Sequence, residues 1–191
     1  DILAHDYGDT VAQELLARQV AEQLPFQIHS ICFLNGGLIP TAHRPRLIQR
    51  LLLGPLGGLV ARLINYRKFK KSFLEVFGPQ TEPTEAELQS FWSLIEQGQG
   101  RLIYHKLIRY IPERHQHGTR WVRALQQARL PLALIDGLLD PVSGAHLVEA
   151  YRAAVPQSSV YELPGIGHYP QTAAPAKVLQ AVDEFYRSHR H

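Results

Sequence analysis

Two aspartates and a histidine in this sequence are of the types that carry out nucleophilic hydrolysis. Asp6 lies in HDYGD, Asp140 in LLDPV and His168 in GIGHYP. An ionised carboxylate can attack an electrophilic carbon without first losing a proton, and a histidine oriented by a second acid can activate water. These residue types indicate two-step hydrolysis through a covalent ester, provided that the fold brings them together.

The first of these residues lies where an apolar strand gives way to a helix. Residues 1–4 are typical of a strand end, and apolar side chains recur at helical spacing from Gly8 to about residue 23. At such a turn, Gly8 leaves room for the backbone, and the N–H of Tyr7 is a candidate oxyanion donor.

Helix capping is the alternative role for the acids at this turn. Asp6 or Asp9 can accept from the free N–H groups of the first helical turn, and Thr10 with Gln13 predicts a capping box. This stretch alone leaves both interpretations open.

The remaining pattern predicts a parallel sheet with a helical insertion. Residues 27–35 alternate and then become apolar, which indicates a strand, whereas 38–120 contains helical stretches broken by Gly and Pro and no strand signal. Beyond residue 130 the order is again strand and helix, with strands in LPLALIDG and SSVYELPG and helices over 144–155 and 172–188. Strands alternating with helices predict an α/β fold with helices on both faces of the sheet.

The second acid and the histidine each follow a predicted strand. Asp140 comes shortly after the strand that ends near Ile135, where an acid can orient a histidine, and Asp136 is its rival. The alternative for Asp140 is a helix N-terminus with Pro141 in the first helical position. His168 is one of ten histidines in the chain. Its position after the candidate nucleophile and the candidate acid, in the order nucleophile, acid, histidine, makes it the best candidate for the catalytic base.

Five segments carry a resemblance to a known family. They are HDYGDTVAQELL (5–16), LNGGLIPTAHRP (34–45), FGPQTEPTEAEL (77–88), DPV (140–142) and GHYPQ (167–171). With them the chain resembles the α/β-hydrolase superfamily, on the aspartate-nucleophile branch of haloalkane dehalogenases and epoxide hydrolases, and within it the mesoderm-specific transcript protein family.

The resemblance implies both an architecture and a set of roles. Residues 1–37 would hold the nucleophile elbow, its helix and the next strand, 38–120 a helical cap, and 121–191 the C-terminal part of the hydrolase core. Asp6 would be the nucleophile, Asp140 the acid and His168 the base, with no metal and no organic cofactor.

Two differences from the family pattern lie at the elbow. Dehalogenases and epoxide hydrolases commonly have Trp after the nucleophile and then Gly-Gly, whereas this chain has Tyr7 and then Gly8-Asp9. A halide-binding Trp is therefore missing, which argues against dehalogenation. Asp9 is expected to add a second negative charge.

The chain begins at the elbow, whereas members of this fold carry several strands and an oxyanion-donor loop before it. We therefore expect the N-terminal strands to be missing from this sequence, which would then be an incomplete catalytic domain.

Residues near the predicted strand ends and in the predicted cap are candidates for substrate binding. They are His5, Asn35, Tyr66, Tyr104 and Tyr110. In the resembled epoxide hydrolases, cap tyrosines donate to the epoxide oxygen. Packing is the alternative role for each tyrosine, and turn formation is the alternative for Asn35.

The two remaining clusters of polar residues are weaker signals. His115 and His117 have one metal-compatible spacing and no third ligand nearby, which predicts a loop and no metal site. Residues 62–73 carry five cations around three aromatic side chains, which fits contact with anionic lipid or nucleic acid. A solvated cap helix with its aromatics turned inward is the favoured interpretation.

Composition limits the remaining classes. The formal net charge is +3 over 191 residues, which argues against a nucleic-acid partner. The single cysteine, Cys32, lies in an apolar run and excludes an intrachain disulfide, so an intracellular, cytoplasmic location is the default expectation. No apolar run reaches the roughly 18 residues of a membrane span, so any membrane association would come from upstream sequence or a peripheral contact.

The sequence therefore predicts an α/β-hydrolase-type enzyme that acts on a small apolar or lipid-like substrate, such as an ester or epoxide. The alternative is a non-catalytic or truncated interaction protein with the same fold. The sequence leaves the oligomeric state open.

Overall fold

Four short strands form one parallel sheet in the computed structural model, which describes residues 1–189. The strands are β1 (Ile2–His5), β2 (Ile31–Leu34), β3 (Leu132–Gly137) and β4 (Ser159–Leu163), and they lie in the spatial order β1-β2-β3-β4. The register places Ala4 beside Phe33 and Phe33 beside Leu134. All four strands therefore end at the same edge of the sheet.

The helices lie between and after the strands. They are α1 (Tyr7–Val20), α2 (Leu47–Leu53), α3 (Gly57–Arg62), α4 (Tyr66–Leu74), α5 (Glu85–Glu96), a 3₁₀ helix (Gln97–Ile103), α6 (Tyr104–Leu107), α7 (Tyr110–Gln127), α8 (Ala145–Ala154), α9 (Pro170–Ala173) and α10 (Pro175–Ser188). Helices α2–α6 all fall between β2 and β3, within the segment 38–120 that was predicted to contain no strand.

Both faces of the sheet are covered by helices. Phe33 and Leu134 face α1, α7 and α8 in the larger apolar cluster. Leu34 and Ile135, one residue further along each strand, face α10 on the opposite side. The alternation follows from the two-residue repeat of a strand, and burial on both faces explains why β2 and β3 are entirely apolar up to their ends. This architecture confirms the predicted fold class.

Several local predictions were wrong in their boundaries. Strand β2 begins at Ile31 and not at residue 27, because the Gln19 side chain both donates to the Ile28 carbonyl and accepts from its N–H, which replaces strand pairing there. The predicted helix over 172–188 is divided at Ala174, since Pro175 lacks an N–H and disfavours helical geometry in the residue before it.

Two predictions on polar residues also need correction. Helix α1 begins at Tyr7, so Thr10 lies inside it and forms no capping box with Gln13. His115 and His117 lie within α7, not in a loop.

Helix α7 passes through residue 120, where the predicted cap ends. The helix packs along α1 and belongs to the main apolar cluster through Trp121 and Leu125. The division of the chain at residues 37 and 120 stays a prediction.

The segment 62–73 largely coincides with α4. Its Phe69 and Phe73 stack on each other and contact Trp92 and Phe91 of α5, while the cations lie toward the outside. Across residues 1–189, no helix is both long enough and apolar enough to cross a bilayer.

Candidate active site

Asp6 occupies a strained turn between β1 and α1. Its φ is 47° and ψ is −101°, in a region where a side chain is rarely found and which costs about 1–3 kcal/mol. Asp6 precedes the first helical residue, yet its carboxylate makes no capping hydrogen bond. Capping, the alternative role for Asp6, therefore does not describe this geometry, and the carboxylate is left for other partners.

Gly8 is less constrained by its surroundings than the elbow pattern suggested. A Cβ on Gly8 would lie 3.7 Å from the Cβ of Ala4, which is an ordinary contact. Tyr7 opens α1, where its N–H has no partner within the helix, and its ring is partly exposed. This N–H is available to an oxyanion that forms on Asp6.

His168 and Asp140 are directly paired. His168 Nδ1 lies 2.7 Å from Asp140 Oδ2. The Asp140 carboxylate also accepts from the Ser143 hydroxyl at 2.7 Å and from the Val142 N–H at 2.8 Å. Helix α8 begins only at Ala145, so Asp140 orients the imidazole and closes its own loop instead of capping that helix.

The other ring nitrogen of His168 faces the elbow. His168 Nε2 lies 3.7 Å from Asp6 Oδ2, which is longer than a hydrogen bond but leaves the two groups in electrostatic contact. The structure thus brings together all three predicted catalytic residues, from three different strand ends. Asp136, the rival acid, is buried and has no hydrogen-bond partner for its carboxyl oxygens.

The charges of the three groups depend on one another. Burial disfavours the charged form of His168, yet the carboxylates of Asp140 and Asp6 together raise the pKa of His168 to about 10. Burial likewise opposes ionisation of Asp6, but the imidazolium of His168 beside it and the charge of Arg114 hold the pKa of Asp6 below its usual range. At neutral pH the resting site therefore contains an imidazolium between two carboxylates.

His5 contacts the histidine through its backbone. His5 Nε2 lies 2.7 Å from the carbonyl oxygen of His168, and its ring packs against the rings of His168 and Tyr169. Burial and the charge of His168 lower the pKa of His5, so it is neutral and donates to that carbonyl. This contact helps fix the loop that carries His168.

Asn35 connects two strand ends instead of pointing to solvent. It is fully buried with φ at 38°, and its side chain pairs with both backbone groups of Gly137. Its Nδ2 also lies 3.2 Å from Asp140 Oδ2. Asn35 therefore holds the acid in place as well as forming the turn after β2.

The three candidate tyrosines lie in different surroundings. The Tyr110 hydroxyl donates to Asp6 Oδ1 at 3.4 Å, and its ring packs 4.8 Å from that of Tyr7. Burial, followed by the Asp6 charge, raises the pKa of Tyr110, which keeps the phenol protonated. Tyr66 instead donates to Glu85 and packs on Trp92, away from Asp6.

Tyr104 is half-buried at the start of α6, where burial and then the charge of Glu96 raise its pKa to about 12.

Arg114 is the main site residue that the sequence reasoning missed. It is almost completely buried, donates from Nη2 to the Asp6 carbonyl at 2.8 Å and from Nε to the Thr10 hydroxyl at 2.7 Å, and lies over the Tyr110 ring. Its Nη2 is also 3.7 Å from Asp6 Oδ1. The signal was available, because residues four apart on a helix are neighbours and Tyr110 was already a candidate.

The surroundings of Asp9 disfavour the second negative charge that was predicted there. It is fully buried, and neither carboxyl oxygen has a hydrogen-bond partner. Burial raises the pKa of Asp9 well above its usual value against the opposing charge of Arg114, which favours the protonated carboxyl. Among the described residues, no group of three or more His, Cys, Asp or Glu side chains is arranged to hold a metal ion.

Comparison with known proteins gives sequence relatives but no family model. No family model matches the chain. It is 41% identical over 193 residues to the mesoderm-specific transcript protein of Mus musculus, covering 98% of this chain and 58% of that protein. It is 38% identical over 180 residues to "Putative hydrolase LipZ" of Mycobacterium tuberculosis, covering 94% of this chain and 62% of that protein. The chain thus spans less than two thirds of these relatives.

Solved structures share the fold at low sequence identity. A haloalkane dehalogenase variant from Bradyrhizobium elkanii superposes with a TM-score of 0.73 at 19% identity, over 97% of this chain and 66% of that one. A bromoperoxidase from Bacillus anthracis gives the same TM-score at 12% identity, over 97% of this chain and 66% of that one. At these identities the likeness establishes the architecture alone.

Proposed function

From an α/β-hydrolase fold and close sequence similarity to the mesoderm-specific transcript proteins, we propose that this chain carries the catalytic residues of a hydrolase that works through a covalent ester on Asp6. The observation that carries the proposal is the chain of contacts from Asp6 to His168 to Asp140. Similarity to a relative described as a hydrolase supports the reaction class.

The nucleophile narrows the substrate class. A carboxylate that attacks a tetrahedral carbon forms an ester, whereas attack on an ester carbonyl forms a less stable anhydride. Tyr110, a protonated phenol beside Asp6, can donate to an oxygen that leaves that carbon. An apolar or lipid-like epoxide therefore fits the site best.

In the first step, one oxygen of Asp6 bonds to an epoxide carbon, the carbon–oxygen bond of the ring breaks, and the freed oxygen takes the proton of Tyr110. Ester formation removes the negative charge of Asp6. Because that charge helps to raise the pKa of His168, the imidazolium now loses its proton, which returns to Tyr110.

In the second step, neutral His168 takes a proton from water, and the hydroxide bonds to the carboxyl carbon of Asp6. The Tyr7 N–H donates to the oxyanion. The intermediate then expels the product alkoxide, which takes the proton of the new carboxylic acid. Asp6 is again a carboxylate, His168 an imidazolium, and one water has been added to the epoxide.

The test is to trap the ester in the full-length protein. A His168→Gln variant incubated with styrene oxide should accumulate an adduct on the peptide that contains Asp6, and a variant that also carries Asp6→Asn should not. In wild-type protein, a single turnover in ¹⁸O-water should place the label in the Asp6 carboxyl before it reaches product. Absence of any adduct with styrene oxide or 1-bromobutane would exclude the covalent mechanism and favour a non-catalytic role.

A further inference from the structure

Helices α2, α3 and α6 and the 3₁₀ helix before α6 leave a large apolar surface exposed. These four elements pack on one another, with Leu52 and Ala61 turned inward. The side chains left outside are Leu47, Leu51, Leu56, Leu59, Leu63, Ile103 and Leu107, and we call this set with its elements the leucine surface. Leu47 is 73% exposed and Leu56 67%.

The exposed side chains follow helical spacing and are not scattered. Leu47 and Leu51 are four residues apart on α2, and Leu59 and Leu63 are four apart at α3. Helices α2 and α3 therefore each bury one apolar side chain, Leu52 or Ala61, and expose others on the outer face. Single exposed leucines need no explanation, but a group of this size indicates a surface that contacts a membrane or another molecule.

The same segments are basic and free of acidic residues. Residues 44–74 contain eight Lys and Arg and no Asp or Glu, and residues 97–112 contain three Lys and Arg and no Asp or Glu. Among the residues that the structure describes, the exposed cations Arg50, Arg62, Lys106 and Arg109 form no ion pair with an acidic side chain. Arg109 also lines a surface cleft with His105 and Leu52.

We propose that the leucine surface docks on the interface of an anionic phospholipid bilayer. Leucines of this kind enter the boundary between headgroups and acyl chains, and the unpaired cations attract the anionic headgroups. The cations would also attract nucleic acid, but the aliphatic side chains offer its bases no surface on which to stack. The inference is independent of the covalent mechanism proposed for Asp6.

Two sets of variants in the full-length protein separate the two contributions. The apolar set is Leu47→Ser, Leu51→Ser and Leu59→Ser, and the charge set is Arg50→Gln, Arg62→Gln and Arg109→Gln. A control on α10 combines Leu179→Ser with Arg187→Gln, where both side chains are largely exposed. Co-flotation with phosphatidylcholine vesicles, with and without phosphatidylserine, measures binding.

Wild-type and control protein should bind the phosphatidylserine vesicles. The charge set should weaken that binding roughly a hundredfold and reduce its salt dependence, and the apolar set should abolish it. Equal binding by wild-type and apolar variants, preference for a DNA duplex over vesicles, or a dimer that the apolar set dissociates would each overturn the proposal.

An engineered thiol checks that the surface is free in the full-length protein. Burial raises the pKa of Cys32 to about 12, so Leu59→Cys adds a reactive thiol to this part of the protein, and wild-type protein labelled in parallel gives the background. An environment-sensitive maleimide dye at this position should react readily in buffer and shift to the blue on phosphatidylserine vesicles. A thiol protected from the dye in buffer would show that the rest of the protein covers the surface, which contradicts docking.

A separate set of contacts assigns Arg114 as a positioning residue for the nucleophile, an inference that rests on the proposed function. Its two hydrogen bonds join the Asp6 carbonyl to the Thr10 hydroxyl, one turn along α1. Gly37 makes the room for it, because a Cβ there would lie 2.4 Å from Arg114 Nη1. The planar guanidinium of Arg114 thus fixes the backbone of the strained turn through hydrogen bonds, and its positive charge attracts the Asp6 carboxylate.

Substituting Arg114 separates geometry from charge. In Arg114→Met, the pKa of Asp6, followed by ¹³C NMR of its carboxyl, should rise, and turnover of styrene oxide should fall more than tenfold. Arg114→Lys should keep the low pKa yet lose turnover, because the fork is gone. Arg120→Met, which removes an exposed pair to Glu14 on the same two helices, is the control and should change neither.

Full turnover in Arg114→Lys, or an unchanged pKa of Asp6 in Arg114→Met, would refute the positioning role. If wild-type protein has no epoxide turnover, the proposed function fails, while the NMR measurement still tests whether Arg114 acts on Asp6.

Discussion

The Nδ1 atom of His168 lies 2.7 Å from Oδ2 of Asp140, and the acid is in turn held by the Ser143 hydroxyl and the Asn35 amide. The ring is thereby fixed with its other nitrogen toward Asp6. An acid placed in this way sets the tautomer and orientation of the histidine without taking its proton.

Replacement of that acid should affect turnover far more than substrate binding. In Asp140→Asn the amide can donate to Nδ1 and favour the wrong tautomer, so kcat for styrene oxide should fall by about three to four orders of magnitude. The ester on Asp6 should then accumulate, since only the second step needs the base. Rapid-quench mass spectrometry measures the rate of turnover and the amount of ester. An Asp183→Asn variant, on the exposed face of α10, serves as the control.

Stability should depend on pH through His168. Its folded-state pKa of about 10 lies above the unfolded value near 6.5, so the stabilisation is complete below pH 6.5 and is lost as pH rises toward 10. Urea unfolding from pH 6 to 10 should show this loss in wild-type protein. A His168→Gln variant should show a flatter profile, and identical profiles would contradict the charged resting histidine.

Asp9 should destabilise the protein above the usual pKa of an aspartate. An acid whose folded-state pKa is raised must hold its proton in the folded state, so stability falls as pH rises above about 4. Asp9→Asn should therefore raise the free energy of unfolding by about 1–3 kcal/mol at pH 7 and by less near pH 3. Equal effects at both pH values would show that the pKa of Asp9 is not raised in the folded state.

Gly36 should tolerate no side chain. A Cβ at this position would lie 2.1 Å from Asp9 Oδ2, in a buried site with no room to relax. Gly36→Ala should cost about 1–3 kcal/mol of stability, measured by thermal or urea unfolding. Gly58→Ala is the matched control: its Cβ would meet nothing closer than 3.8 Å, and alanine favours the helix there.

The order of chemical residues along the chain predicted the site better than local patterns predicted its support. Asp6, Asp140 and His168 could be found because each follows a strand and parallel strands end together. The roles of Arg114 and Asp9 were missed, because they depend on burial between α7 and α1 and a charged residue in a helix ordinarily faces solvent; helical spacing from Tyr110 was the one signal for Arg114. Asn35 was predicted as a turn or pocket residue, and only the pairing of β2 with β3 revealed its contact with Asp140.

Helix α7 constrains how the site can open. Its first turns place Tyr110 and Arg114 in contact with Asp6. Further along the same helix, Trp121 and Leu125 are packed in the main apolar cluster. Swinging α7 outward would unpack that cluster, so the hinge for any lid motion must lie before Tyr110. We therefore expect opening of the site to depend on α2–α6, which include the helices of the leucine surface, so a bilayer that holds those helices would also set how often the site is open.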